Sequence, residues 1–144
     1  MAIGQGKPFS ATMVRAMSRR VRTLETRIQK IKQEIAALGP LRPGTLSQQF
    51  NVCGKPGCRC KATPPQKHGP YYQLSFTWQG RSSTHFVRRE DLKAAEEQLR
   101  NYRKLRELVD EWATLGMELS QLQLQEKQSP DPDHRARRRR GALA

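Results

Sequence analysis

Residues 51–78 read NVCGKPGCRCKATPPQKHGPYYQLSFTW, and two changes of pattern within this stretch decide the kind of fold the chain adopts. The first part is broken by Gly54, Pro56, Gly57, Pro64, Pro65, Gly69 and Pro70, a density of glycine and proline that no long helix tolerates. After Pro70 the period becomes two. Tyr72, Leu74, Phe76 and Trp78 alternate with Tyr71, Gln73, Ser75 and Thr77, as in a strand with one apolar face. Gln79-Gly80 is a turn signal, and residues 82–87 return as a second strand. The reading is a β-hairpin whose Tyr72, Phe76 and Trp78 pack inward against helix ends, with Tyr71 exposed. A hairpin alone is marginal in water and requires a staple.

The same stretch supplies one. Every cysteine of the chain lies in the pattern C-x4-C-x-C-x7-H, formed by Cys53, Cys58, Cys60 and His68. Three thiolates and an imidazole are the ligands that close a tetrahedral structural zinc site. Gly54 and Gly57 permit a tight turn around an ion, while Lys55, Arg59 and Lys61 would offset thiolate charge. The spacing differs from that of paired C-x-x-C fingers. The fourth ligand could be His68 or, from the second strand, His85. A redox role for Cys58 and Cys60 lacks the surrounding thioredoxin-like pattern. No Asp or Glu lies between Leu41 and Val87, so a catalytic zinc would find no general base there.

Outward from this centre the period changes again. Val14, Val21, Ile28 and Ile35 recur every seven residues, and Met17, Leu24, Ile31 and Leu38 do so in the other phase. That unbroken 3-4 alternation predicts a helix with a coiled-coil seam, capped by Ser10 and stopped by Gly39-Pro40. Beyond the hairpin, Leu92, Ala95, Leu99, Tyr102, Leu105, Val109, Trp112, Leu115, Leu119 and Leu122 mark a longer seam with a local stammer, fading before Pro130. The two helices are expected to pair antiparallel. The longer one would leave a strip from Trp112 to Leu122 for a second copy or a partner protein.

The fold class expected is therefore α+β: a long, coiled-coil-like helical hairpin with a central zinc-stapled β-hairpin. Its segments are 1–40 (heptad helix), 41–87 (Cys/His cluster and hairpin), 88–128 (long helix) and 129–144 (a disordered, Arg-rich tail).

Charge gives the functional expectation. Across 144 residues the net charge is +14, and hydrophobic residues make up only 35%, so narrow seams must replace a single large core. Residues 41–87 hold six basic residues and no acid, whereas residues 88–128 hold eight basic and nine acidic ones. A polyanionic partner fits, with nucleic acid ahead of an acidic membrane and DNA ahead of RNA. Candidate contacts are Arg42, Lys55, Arg59, Lys61, Lys67 and Arg81, with Tyr71 placed to stack on a base and Arg137, Arg138, Arg139 and Arg140 adding affinity from the tail. Arg15, Arg19, Arg20, Arg22 and Arg27 give the first helix a further basic region. No apolar leader or membrane-length run is visible, and the thiols suit a reducing compartment, so a cytoplasmic protein is expected. Paired carboxylates, a phosphate-cradling loop and a nucleophile–base motif are all missing from the sequence, which argues against an enzyme and a small-molecule substrate. The competing expectation is a protein-interaction adaptor whose helices form the working surface.

CGKPGCRC followed by HGPYYQLS, a turn and a long charged helix resembles a family of small uncharacterised bacterial proteins. The resemblance rests on Cys53, Gly54, Lys55, Cys58, Arg59, Cys60, His68, Gly69, Pro70 and Tyr71, and extends over about Leu41 to Leu122. It implies that the cysteines and histidine act as one unit. It implies only loosely an association with transposases and other mobile elements.

Overall fold

The structure is a computed structural model and describes residues 10–128. It is α+β, with two long packed helices and a three-stranded antiparallel sheet. In chain order the elements are helix α1 (Ala11–Ala36), strands β1 (Thr45–Asn51), β2 (His68–Trp78) and β3 (Arg81–Val87), and helix α2 (Leu92–Gln128). Single 3-10 turns at Arg59–Lys61 and Arg89–Asp91 precede β2 and α2. α1 ends at Ala36, ahead of the expected limit at 40, β3 ends at Val87, and the segment expected at 129–144 lies outside the described residues. Compactness divides the chain differently. Of the described residues, 10–34 and 108–128 form one unit, and Ile35–Glu107 form the other, so both helices contribute to both units.

In the first unit the helices run antiparallel. The guanidinium of Arg20 donates two hydrogen bonds to Glu118, at 2.6 and 2.8 Å, and that of Arg27 donates two to Glu111, at 2.6 and 2.7 Å. A step of seven forward on α1 is thus a step of seven backward on α2. Arg27 also reaches Glu34 at 3.1 Å. Hydrogen bonds and charge from Arg20 hold the Glu118 carboxyl below the usual range. Two arginines of the basic region expected on α1 are therefore neutralised within the fold.

Among the described residues of this unit, Leu24, Ile28, Ile31 and Leu108 are the buried side chains. They bear out the centre of the α1 seam, whose first residue, Val14, is 50% exposed, and they correct that of α2. Leu108 is buried and Val109 is 46% exposed, because the seam takes a third successive three-residue step, from Leu99 through Tyr102 and Leu105 to Leu108. The strip from Trp112 to Leu122, expected to be uncovered, is covered in part: Trp112 is 37% exposed, but the leucines after it are not free. The Arg20–Glu118 and Arg27–Glu111 pairs set α1 beside it, and Leu115, Leu119 and Leu122 are half-buried. The ammonium of Lys32 lies 5.1 Å from the centroid of the Trp112 ring. At the start of α1 the Met13 amide donates to the Ser10 carbonyl, with the Ser10 hydroxyl at 3.4 Å, so the expected cap is present.

The second unit is built on the sheet, in the order β1-β2-β3. The expected hairpin is present, with Tyr72 opposite Val87 and Trp78 opposite Arg81. β1 is an addition that the sequence reading did not foresee. TLSQQFN offers little apolar alternation, and its ladder is supplied by β2: Thr45 faces Ser75, Leu46 faces Leu74, and Gln49 faces Tyr71.

Directly opposed residues of an antiparallel ladder share a face. Leu46, Tyr72, Leu74 and Phe76 therefore face one way. Leu74 is fully buried on that side, and the other buried hydrophobic side chains of the unit are Cys60 and, from α2, Ala95 and Leu99. Trp78 corrects the inward reading, since it sits at the hairpin tip and is 52% exposed. The opposite face carries Thr45, Ser47 and Gln49 of β1, Tyr71, Gln73, Ser75 and Thr77 of β2, and Ser82, Thr84 and Phe86 of β3. Hydroxyls are paired across it, Ser75 with Thr84 at 3.1 Å and Thr77 with Ser82 at 2.8 Å.

Two connections anchor this unit to α2. The Asn101 side-chain amide donates to the Pro40 carbonyl at 2.8 Å, and the Arg42 amide donates to the Gln98 carbonyl. Gly69 sits at φ 138°, and a Cβ there would stand 2.8 Å from the Gln49 carbonyl oxygen, so only glycine lets β1 close on the start of β2.

Candidate functional site

Four elements deliver the cysteines and the histidine to one point. Cys53 follows the end of β1, Cys58 ends the glycine-rich turn, Cys60 lies within the 3-10 turn, and His68 opens β2. The pairing of Asn51 with His68 brings the two strand ends together. Gly57, at φ 75°, makes the reversal between Cys53 and Cys58. The Gln66 amide donates to the Arg59 carbonyl and closes the loop on itself.

The ligand atoms of Cys53, Cys58, Cys60 and His68 all lie within 4.8 Å of one another. The Sγ atoms of Cys53 and Cys60 are 3.6 Å apart, and Cys58 Sγ is 3.1 Å from His68 Nε2. The sulfur–sulfur distance is far beyond a disulfide bond of about 2.05 Å. It is close to the edge of roughly 3.8 Å expected between two sulfurs each about 2.3 Å from a tetrahedral zinc. The sulfur–nitrogen edge is at hydrogen-bond length and would open by about half an ångström around an ion. The four residues could hold a metal ion such as zinc, with His68 as fourth ligand. His85, the alternative, is exposed on β3 with its ring beside Phe76 and Ser83, away from the thiols.

The electrostatics favour ligation. Backbone N–H groups are already aimed at two of the sulfurs, as in a cradle built for thiolates. The Cys60 amide, followed by the Cys60 and Cys53 thiols and by His68, brings Cys58 down to about 6. Cys53 also receives a backbone N–H, from Lys55, which favours its thiolate. The neighbouring Cys58 and Cys60 outweigh that amide and raise its thiol above the ordinary value. Cys60 is 1% exposed and seals the inner side of the cluster.

The expected basic residues fall into three groups. Lys55, Arg59, Lys61 and Lys67 are all exposed and belong to the loop that carries the ligands; Arg59 and Lys61 immediately flank the buried Cys60. Arg81 is exposed at the far tip of the hairpin. Arg42 stands apart. It is half-buried, its guanidinium lies 5.6 Å from the Phe76 ring centroid, and its Nε is buried without a hydrogen-bond partner. Arg137, Arg138, Arg139 and Arg140 lie outside the described residues. Tyr71 is 43% exposed on the outer sheet face, as expected. Phe86, which the sequence reading passed over, is 72% exposed on the same face. Its place in the period-two pattern of the second strand, opposite the parity of Val87, is the signal that could have found it. Among the described residues, no helix is long and apolar enough to cross a membrane.

Fold and site together define a helical-hairpin protein with an inserted three-stranded sheet, whose first two strands meet at a Cys3His cluster that could hold a metal. The model of the family described as a domain of unknown function, DUF6788, matches residues 21–101, and the chain belongs to that family. The match takes in the second half of α1, which the resemblance noted from the motif alone did not include, together with the entire sheet and the first turns of α2. No curated protein and no solved structure matches the chain.

Proposed function

We propose that the protein is a non-enzymatic nucleic-acid-binding module whose sheet is stapled by a structural zinc ion. The observation that carries this reading is the placement of Lys55, Arg59, Lys61 and Lys67, all exposed, on the loop that the ligand cluster would fix. A flexible basic loop attracts phosphates without shape. A loop tied down at Cys53, Cys58, Cys60 and His68 presents its charges as a constant pattern. The absence of any acid from residues 41–87 leaves that field unopposed within the segment. DNA is the preferred partner, and an accessory role beside mobile-element enzymes is consistent with such a module.

The test is fluorescence anisotropy of labelled oligonucleotides across a salt series. Affinity should fall steeply as salt rises, and Arg59→Ala with Lys61→Ala should flatten the slope by about one unit per lost phosphate contact. Binding that ignores salt and both substitutions would sink the reading.

A second reading, an adaptor acting through its helices, draws on Val109, Met117 and Leu124, which are exposed along α2. In it, this face of α2 packs against a second copy of the chain.

A further inference from the structure

The outer face of the sheet combines features that a solvated surface does not need. It is built from hydroxyl and amide side chains, and no charged residue lies on it within the paired strands. Two large aromatic rings interrupt this polar field. Phe86 is 72% exposed and Tyr71 43%, although aromatic rings carry the largest apolar surface to hide. Phe86 pairs with Gln73, two residues along β2 from Tyr71, so the two rings are diagonal neighbours on one face. Together with Pro70, Arg88 and Arg89, and with Tyr72 and Val87 reaching in from the other face at the end of the ladder, they line one shallow hollow.

We propose that this face is a stacking platform for the unpaired bases of a single-stranded nucleic acid, with Phe86 and Tyr71 as the stacking rings. This rests on the nucleic-acid reading above and names the site and the form of the partner. Three observations favour it over a protein-docking patch. On the outer face the ladder neighbours of the rings are Gln49, Gln73 and Thr84, which can hydrogen-bond, and not further apolar side chains. Those hydroxyls and amides can donate to and accept from base edges. The strands that carry them, within residues 41–87, hold no acid, and Arg88 and Arg89 stand at the rim of the hollow. Arg88 also pairs with Glu90 and Asp91, which leaves Arg89, exposed beside it, as the better phosphate contact. A flat face with projecting rings suits splayed single strands, because stacked duplex bases offer no ring faces to meet them.

The experiment compares a labelled oligothymidylate strand with an abasic strand of equal length and charge, at one salt concentration. The full-length protein should bind the base-containing strand about tenfold or more tightly, the size expected for loss of one or two stacking contacts. Phe86→Ala and Tyr71→Ala should each remove much of that preference and leave abasic-strand affinity unchanged. Phe86→Trp should retain it and show fluorescence quenching on binding. Phe86 is solvent-exposed, so its replacement leaves the core intact, which unchanged circular dichroism would verify. Equal binding of the two strands would overturn the platform and leave the nucleic-acid reading standing. A wild-type protein that binds neither strand would overturn both.

Discussion

At the residue scale, backbone geometry sets two neighbouring thiols of the cluster apart, as a site that could hold a metal ion requires. Cys58 and Cys53 are chemically identical and lie within a few ångströms of each other, yet they titrate in opposite directions. The Cys60 amide and the neighbouring thiols stabilise the Cys58 thiolate, and Cys53 is then the neighbour that cannot also ionise cheaply. Because Cys58 is brought down to about 6, it is largely thiolate at pH 7 in metal-free protein, and it regains its proton as pH falls through about 6. Metal-free protein treated briefly with iodoacetamide at pH 7 should therefore be alkylated at Cys58 before Cys53, with the Cys58 rate dropping below pH 6. Peptide mass mapping reads both sites. Equal rates would show that the amide cradle does not form without metal. The cysteines and His68 were legible in the sequence because ligand chemistry restricts residue types so strongly. The choice between His68 and His85 was not, because it depends on which strand end faces the thiols.

At the element scale, the centre of α1 could be read side chain by side chain, although Val14 at its start is exposed. Its 3-4 alternation is regular, and Leu24, Ile28 and Ile31 are buried where the seam places them. α2 was legible in extent but not in phase. Three successive three-residue steps bring Leu108 to the core in place of Val109, and adjacent apolar residues at a stammer leave sequence alone unable to choose between them.

The phase also creates a second stripe. At 3.6 residues per turn, Val109, Ala113, Gly116, Met117, Ser120 and Leu124 fall within an arc of roughly 100°, turned away from buried Leu108 and half-buried Leu115, Leu119 and Leu122 of the same unit. Nearer the start of α2, Ala95 and Leu99 of the sheet unit are buried on that same arc. The small residues at its centre would admit a close helix approach, flanked by exposed Met117 and Leu124. If this stripe pairs with its copy, the wild-type chain sediments as a dimer at micromolar concentration, and Met117→Glu with Leu124→Glu gives a monomer of unchanged helicity. A monomeric wild type would remove the second reading. β1 shows the opposite limit of legibility. Its sequence has no strong strand signal, and it exists because β2 offers it a ladder.

At the scale of the whole molecule, the helical unit and the sheet unit rest on different supports. The first has a continuous apolar seam with bidentate ion pairs alongside it. The second has few buried side chains, chiefly Leu74, Cys60, Ala95 and Leu99, and one of these is a candidate ligand. A unit with so small a core gains most from a metal clamp. Purified untagged protein should contain about one zinc per chain by elemental analysis. Removing it with a strong chelator, or by Cys58→Ser, should abolish hydrogen-exchange protection in residues 45–87 while the helical signal of residues 11–34 and 108–128 persists. A sheet that stays protected without metal would mean that its hydrogen bonds and core suffice.

The sequence by itself determined the elements whose physics is local. A seven-residue repeat buries one stripe of a helix, a two-residue alternation buries one face of a strand, and three thiols with an imidazole in one glycine-rich turn can converge on an ion. Only the tertiary structure decided what depends on distant partners. It drew β1 onto β2 through backbone hydrogen bonds that side chains do not encode, and spent Arg20 and Arg27 on glutamates of the opposing helix. By fixing the parity of β3, it also turned Phe86 outward beside Tyr71.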